Sequence, residues 1–119
     1  MKYISTRGGA APVNFEGALL AGLAPDGGLY MPESWPRIPA DEARRIGGLP
    51  YAQAATEILA LFAGESFTKE ELAAMTAEAY GTFTDDRVAP LVKLAPEDWM
   101  LELFHGPTLA FKDFAMQIL

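Results

Sequence analysis

From Leu109 to Leu119 the sequence LAFKDFAMQIL puts apolar side chains around most of the circumference of a helix, so this segment needs burial on more than one side. The residues before it offer only a few strand positions for that burial. No glycine, asparagine or basic last turn closes the segment at Leu119, as a finished helix would have. The expectation is a piece of a larger α/β protein, cut inside or at the end of the first helix of its second domain.

Upstream of that helix, Leu91–Leu94 and Trp99–Phe104 read as two strands, followed by His105-Gly106-Pro107-Thr108 and a helix starting near Leu109 with Thr108 as its N-cap. A strand, a short loop at its carboxyl end and a helix is the unit of α/β domains, and ligands bind at that loop. Further upstream the pattern is helical. Tyr3 and Ile4 open a strand, RGGAAP interrupts it, and Asn14 caps a helix over FEGALLAGL. The Asp-Gly turn of APDGG returns the chain into a second strand at Leu29–Met31. PESWPRIP is a connector. A short helix over Asp41–Ile46 is stopped by Gly47 and Gly48 in the left-handed conformation. A helix begins at Pro50, carries Tyr51, Ala54, Ala55, Ile58 and Phe62 on one face, and stops at Gly64. Thr68 and Glu71 have capping-box spacing, and Leu72, Met75 and Ala79 form the buried stripe of the next helix, which Gly81 ends. TFTDDRVAP is the boundary, giving an N-terminal domain over 1–85 and the start of a second over 86–119.

Composition excludes several chemistries. A net charge of −7 disfavours nucleic acid and anionic membranes as partners, and no run approaches the roughly 18 apolar residues of a membrane helix. Without cysteine there is neither disulfide nor thiolate zinc site, and the single histidine, His105, rules out a multi-histidine metal site. No metal is expected. A cytoplasmic location suits these features.

Lys112 is the residue with chemical promise. A buried first-turn lysine is pushed toward its neutral form by desolvation and by the positive end of the helix dipole, and a neutral amine attacks aldehydes. The alternative stays open: a lysine near a helix start also reads as a solvated surface residue, His105 as a loop residue bonding backbone, and Thr108 as a cap.

The order of residues in LFHGPTLAFKDFA, Leu103 to Ala115, resembles the cofactor-lysine motif of threonine synthases, pyridoxal-phosphate enzymes of the tryptophan-synthase β-subunit fold. YISTRG, FEGALLAGLAPDGGLYMPE and the helix after LPYAQAATEIL look like the small N-terminal domain of the same family. The resemblance implies an α/β fold: a small mixed N-terminal domain, then the first strands and helix of an incomplete fold type II catalytic domain. It implies Lys112 as the Schiff-base lysine and proton carrier, with Phe111 and Thr108 beside the cofactor. The reaction implied is conversion of O-phospho-L-homoserine and water to L-threonine and phosphate, with pyridoxal 5′-phosphate as cofactor. His105 and Asp113 match the motif without an assigned role. Ser5, Thr6 and Arg7 form a polar, cationic segment in a family-like position, in which Arg7 could meet a phosphate or carboxylate, or be a surface arginine. No glycine-rich loop for the cofactor phosphate occurs in these residues, so the chain alone is expected to be inactive and to hold no cofactor tightly. Two alternatives remain, a related phospholyase and a folding or interaction module that self-associates through the apolar C-terminal helix.

Overall fold

The computed structural model describes residues 1–119 as a mixed α/β chain in which helices carry the packing and strands are short. Strand β1 (Tyr3–Ser5) pairs antiparallel with β2 (Tyr30–Pro32), with Ile4 opposite Met31. The strand expected at Leu29–Met31 thus sits one residue later and includes Pro32, which lies at its end. Between them runs α1 (Phe15–Ala21), capped as expected by Asn14, whose Oδ1 accepts from the Gly17 amide at 2.9 Å.

Three helices form the body of the molecule: α2 (Ala40–Gly47), α3 (Tyr51–Ala63) and α4 (Lys69–Tyr80). The capping box at the start of α4 is complete. Glu71 N donates to Thr68 Oγ1 at 3.2 Å, and Thr68 N donates to Glu71 Oε2 at 2.8 Å. Gly64 stops α3 in the left-handed region, at φ +62°. The end of α2 differs from expectation: Gly48 is right-handed at φ −92°, and its amide turns back to the Arg45 and Ile46 carbonyls. A tightened last turn satisfies those carbonyls without a left-handed residue.

The α3–α4 contact is the heart of the fold. Leu72 and Ala79 are buried as expected, but the third buried position of α4 is Thr76, with Met75 half-buried. Thr76 Oγ1 lies 2.8 Å from Thr56 Oγ1 on α3, and both hydroxyls also reach main-chain carbonyls one turn back. A polar pair is tolerated there because both members are hydrogen-bonded. At the rim, Glu57 on α3 pairs with Lys69 at 2.7 Å and Arg45 at 3.4 Å, linking all three helices. The β1 end is joined to α3 by Tyr3, whose hydroxyl donates to the Phe62 carbonyl at 2.9 Å.

Past α4, β3 (Leu91–Lys93) and β4 (Trp99–Leu101) form an antiparallel hairpin. The strand expected over Trp99–Phe104 therefore ends three residues early, and the pair is not the parallel arrangement of an α/β unit. The last element, α5 (Asp113–Met116), is a single turn. The helix expected from Leu109 begins four residues later, because Leu109 stands in the left-handed region at φ +63°. No helix is long and apolar enough to cross a membrane.

Candidate functional site

The segment from His105 to Asp113 is folded around one carboxylate. Asp113 is buried, with 2 % of its surface exposed. Its Oδ2 accepts from the Thr108 amide at 2.9 Å, and its Oδ1 accepts from the Thr108 hydroxyl at 2.8 Å and from Gln117 Nε2 at 3.4 Å. Burial works against the charge of this carboxyl, but the Thr108 hydroxyl and amide and Gln117 outweigh it, so it titrates below the usual carboxylate range. The side chain lies directly on Gly106, where any Cβ would come within 2.7 Å of Asp113 Cγ. That contact gives the glycine of the His-Gly-Pro-Thr run a steric reason.

Thr108 therefore does not cap the helix through its side chain; it closes a ring with the first residue of α5. Lys112 occupies the N-cap position, with φ −64° and ψ −19°, one residue before the first turn rather than inside it. It is exposed and takes part in none of the ion pairs. The burial expected of it is not supplied by these residues, and a single-turn helix has little dipole to offer. Phe111 is 65 % exposed beside it, and Leu109, Met116 and Leu119 are exposed too. Of the apolar residues expected to be covered all round, Phe114 packs inward most clearly.

Phe114 ties this segment to the helices. Its ring meets Tyr51 at 6.1 Å and Phe83 at 5.1 Å, Tyr80 meets Tyr51 at 4.9 Å, and the Tyr80 hydroxyl donates to the Phe114 carbonyl at 3.1 Å. Burial raises the phenol pKa of both tyrosines. On the opposite side of the loop, the His105 carbonyl accepts from Thr84 N at 2.9 Å and from its hydroxyl at 3.2 Å. The imidazole Nε2–H donates to Glu102 Oε2 at 2.7 Å. His105 is thus a brace between the β4 end and the linker, and its ring is engaged with a neighbour three residues away.

A second ordered loop joins Ser5–Gly9 to Asp26–Gly28. The Ser5 hydroxyl donates to the Asp26 carboxylate, 2.7 and 2.8 Å from its two oxygens, and the Gly28 and Gly9 amides donate to the same group at 2.9 and 2.8 Å. Ser5, then Gly28 and Gly9, hold the Asp26 carboxyl below its ordinary value against partial burial. Thr6 Oγ1 accepts from Leu29 N at 3.0 Å. Ser5 and Thr6 are therefore structural in this chain. Arg7 is exposed, with one guanidinium nitrogen on the Asp26 carbonyl at 3.1 Å.

No group of three or more histidine or acidic side chains is placed to hold a metal ion. For an aromatic aldehyde cofactor the fit is better: Lys112 offers a primary amine with no carboxylate partner, Asp113 beside it is occupied elsewhere, and Phe111 provides an exposed aromatic face next to it. The motif residues missed as a unit in the sequence are Gly106, Thr108 and Asp113. The signal was there: a glycine, a hydroxyl and a short carboxylate within eight residues of each other.

A family model described as "Threonine synthase N terminus" matches residues 2–80. The chain is 52% identical over 119 residues to threonine synthase of Pseudomonas aeruginosa, all of this chain but 25% of that protein. It is 45% identical over 117 residues to threonine synthase-like 2 of Rattus norvegicus, 98% of this chain and 24% of the relative. The crystal structure of PLP-bound threonine synthase from Brucella melitensis superposes with a TM-score of 0.96 at 50% identity, over 99% of this chain and 25% of that one. The chain thus spans about a quarter of the length of the relatives it matches. Its residues belong to the family described as the threonine synthase N terminus.

Proposed function

We propose that this chain is the part of a threonine synthase that carries the cofactor-anchoring lysine, working in the cytoplasm on O-phospho-L-homoserine and water to give L-threonine and phosphate. Residues 1–85 act as the N-terminal domain, and residues 86–119 begin the pyridoxal-phosphate domain. The observation that carries the reading is Lys112 itself: an exposed, unpaired amine at the start of α5, on a loop whose Thr108 is hydrogen-bonded to the neighbouring carboxylate.

Bound pyridoxal phosphate would supply an electron sink for charge developing at the substrate carbons. The chain's own residues do the rest. Lys112 would hold the cofactor through its Nζ, and the same amine would hold or move a proton at the substrate carbons as a general acid and base. Phe111 would give the cofactor an apolar flank. Thr108 borders the same loop, with its hydroxyl proton committed to Asp113 and its remaining lone pairs free. Covering by further protein would supply the desolvation that favours the neutral amine. The exposed Leu109, Phe111, Met116 and Leu119 mark where such covering goes, and in the chain alone they drive self-association, which light scattering against concentration reads directly.

The test is a chimera in which these 119 residues replace the matching quarter of the P. aeruginosa enzyme. It should release phosphate and form threonine from O-phospho-L-homoserine, and Lys112→Ala should abolish both, while the 119-residue chain alone forms neither. Phosphate release with a keto or aldehyde product would favour the second reading, a threonine-synthase-like phospholyase. That reading draws support from the 45% match to threonine synthase-like 2, which has nearly the same coverage. Loss of neither product on Lys112→Ala would refute the role of the lysine.

A further inference from the structure

We infer that Asp113 is the positioning residue for Lys112: by closing the ring to Thr108 over Gly106, it fixes the backbone that presents the lysine amine. This inference rests on the reading of Lys112 as the cofactor anchor.

Two adjacent charged residues of opposite sign would ordinarily be free to neutralise each other through solvent. Here they are separated by direction. Asp113 faces inward and is buried, and both its oxygens accept hydrogen bonds, two from Thr108 and a longer one from Gln117. Lys112 faces outward and is exposed. The carboxylate is therefore occupied, and the amine next to it keeps its reach. A buried carboxylate in such a position is costly unless hydrogen-bonded, so its partners define where it can sit.

The loop between the ends of the ring needs this support. Leu109 adopts φ +63°, which residues with a side chain take up rarely, and its own side chain is 70 % exposed and contributes little packing. The backbone bonds inside the loop are few: Leu109 N to Gly106 O at 3.1 Å, Asp113 N to Ala110 O at 3.0 Å, and Phe114 N to Phe111 O at 3.4 Å. α5 adds one turn, in which the Ala115 and Met116 amides both donate to the Lys112 carbonyl, at 3.0 and 2.9 Å. The Asp113 bonds to Thr108 are the side-chain cross-links between these two parts. Gly106 completes the device, because a side chain there would displace the carboxylate.

Three variants separate the possibilities. Asp113→Ala removes both acceptors. Asp113→Asn keeps the volume and one acceptor oxygen, and Gly106→Ala leaves the carboxylate in place chemically while pushing it off its partners. In the 119-residue chain, hydrogen exchange of the Thr108 amide should accelerate roughly tenfold to a hundredfold in Asp113→Ala, as expected for loss of a bond to a buried charge. Gly106→Ala should match it, Asp113→Asn should fall between, and amides of α3 and α4 should be unchanged. In the chimera described above, the rate at which added pyridoxal 5′-phosphate becomes reducible by borohydride at Lys112 should fall in the same order. A Thr108 amide indifferent to Asp113→Ala overturns the inference. So does a loosened Thr108 with an unchanged capture rate at Lys112, since Asp113 would then shape the loop without positioning the amine. If the unsubstituted chimera captures no cofactor at Lys112, the anchor reading itself fails and the inference falls with it, an outcome recognisable by an intact Thr108 result.

Discussion

Replacing Phe114 by alanine should detach the lysine segment while leaving the helical body folded. Phe114 makes two edge-to-face contacts, with Tyr51 at 6.1 Å and Phe83 at 5.1 Å. Each such pair contributes about 0.5–1.5 kcal/mol beyond area burial, giving roughly 1–3 kcal/mol for the two. The ring is half-buried, so its transfer contribution is about half that of a fully buried phenylalanine, or roughly 1 kcal/mol. A total of about 2–4 kcal/mol is large for a segment whose only regular element is the four residues of α5. The α3–α4 contact does not rest on Phe114 alone, because Leu72, Thr76, Ala79 and Thr56 are buried there and the two threonine hydroxyls lie 2.8 Å apart. The loss should therefore appear as local opening. Hydrogen exchange by mass spectrometry should show peptides covering Lys112–Gln117 exchanging at nearly free-chain rates, while urea unfolding followed by helix circular dichroism moves by less than about 1 kcal/mol. Tyr80→Phe, which deletes only the 3.1 Å bond to the Phe114 carbonyl, should produce a milder version worth about 1 kcal/mol. An equal fall in local and global stability would refute the reasoning, since the lysine segment would then be part of one cooperative unit with the helices.

Other expectations concern the parts that hold the site in place. Thr56→Val should cost about 1 kcal/mol in urea unfolding, because Thr76 keeps its bond to the Ala73 carbonyl, and adding Thr76→Val should cost little more, since replacing both partners removes the need for either bond. Costs that simply add would show the two hydroxyls to be independent. Gly28→Ala should destabilise by about 1–3 kcal/mol, as its Cβ would run into the Ser5 hydroxyl and stand 3.0 Å from Asp26 Oδ1; an unchanged melting temperature would contradict that packing. The Asp26 carboxyl is held below its ordinary value, first by Ser5 and then by the Gly28 and Gly9 amides. The sign follows: its contribution is fully present above the unfolded value of about 3.9 and is lost as pH falls through the lower folded one. Amide shifts of Gly9 and Gly28 should therefore titrate together below about pH 3.9, and a midpoint above that would be the wrong direction.

The sequence was most legible where a structure is made by neighbours. Asn14, Thr68 with Glu71, and Gly64 act within one turn of their own position, and each does what its spacing implies. It was least legible where distant groups decide. The start of the last helix moved from Leu109 to Asp113 because a carboxylate turned back to Thr108 and a leucine accepted a left-handed backbone, neither of which periodicity can register. Thr56 and Thr76 look like polar interruptions of helical faces and turn out to be a buried pair, since each supplies the partner the other needs. Lys112 is a mixed case. Its neighbours in sequence resemble the lysine motif of the family, but apolar neighbours along the chain do not amount to burial, since Leu109, Phe111 and Met116 are exposed. Ser5 and Thr6 stand in the sequence as a polar segment beside Arg7 with no assigned role; their partners, Asp26 and Leu29, come from across a turn.

The most direct test of the cofactor lysine is borohydride reduction of the chimera after addition of pyridoxal 5′-phosphate, followed by peptide mass mapping. The account predicts one labelled peptide, carrying the modification at Lys112, with Lys2, Lys69 and Lys93 unmodified, and no stable selective label in the 119-residue chain alone. Label spread over the surface lysines, or fixed at any lysine other than Lys112, would contradict it.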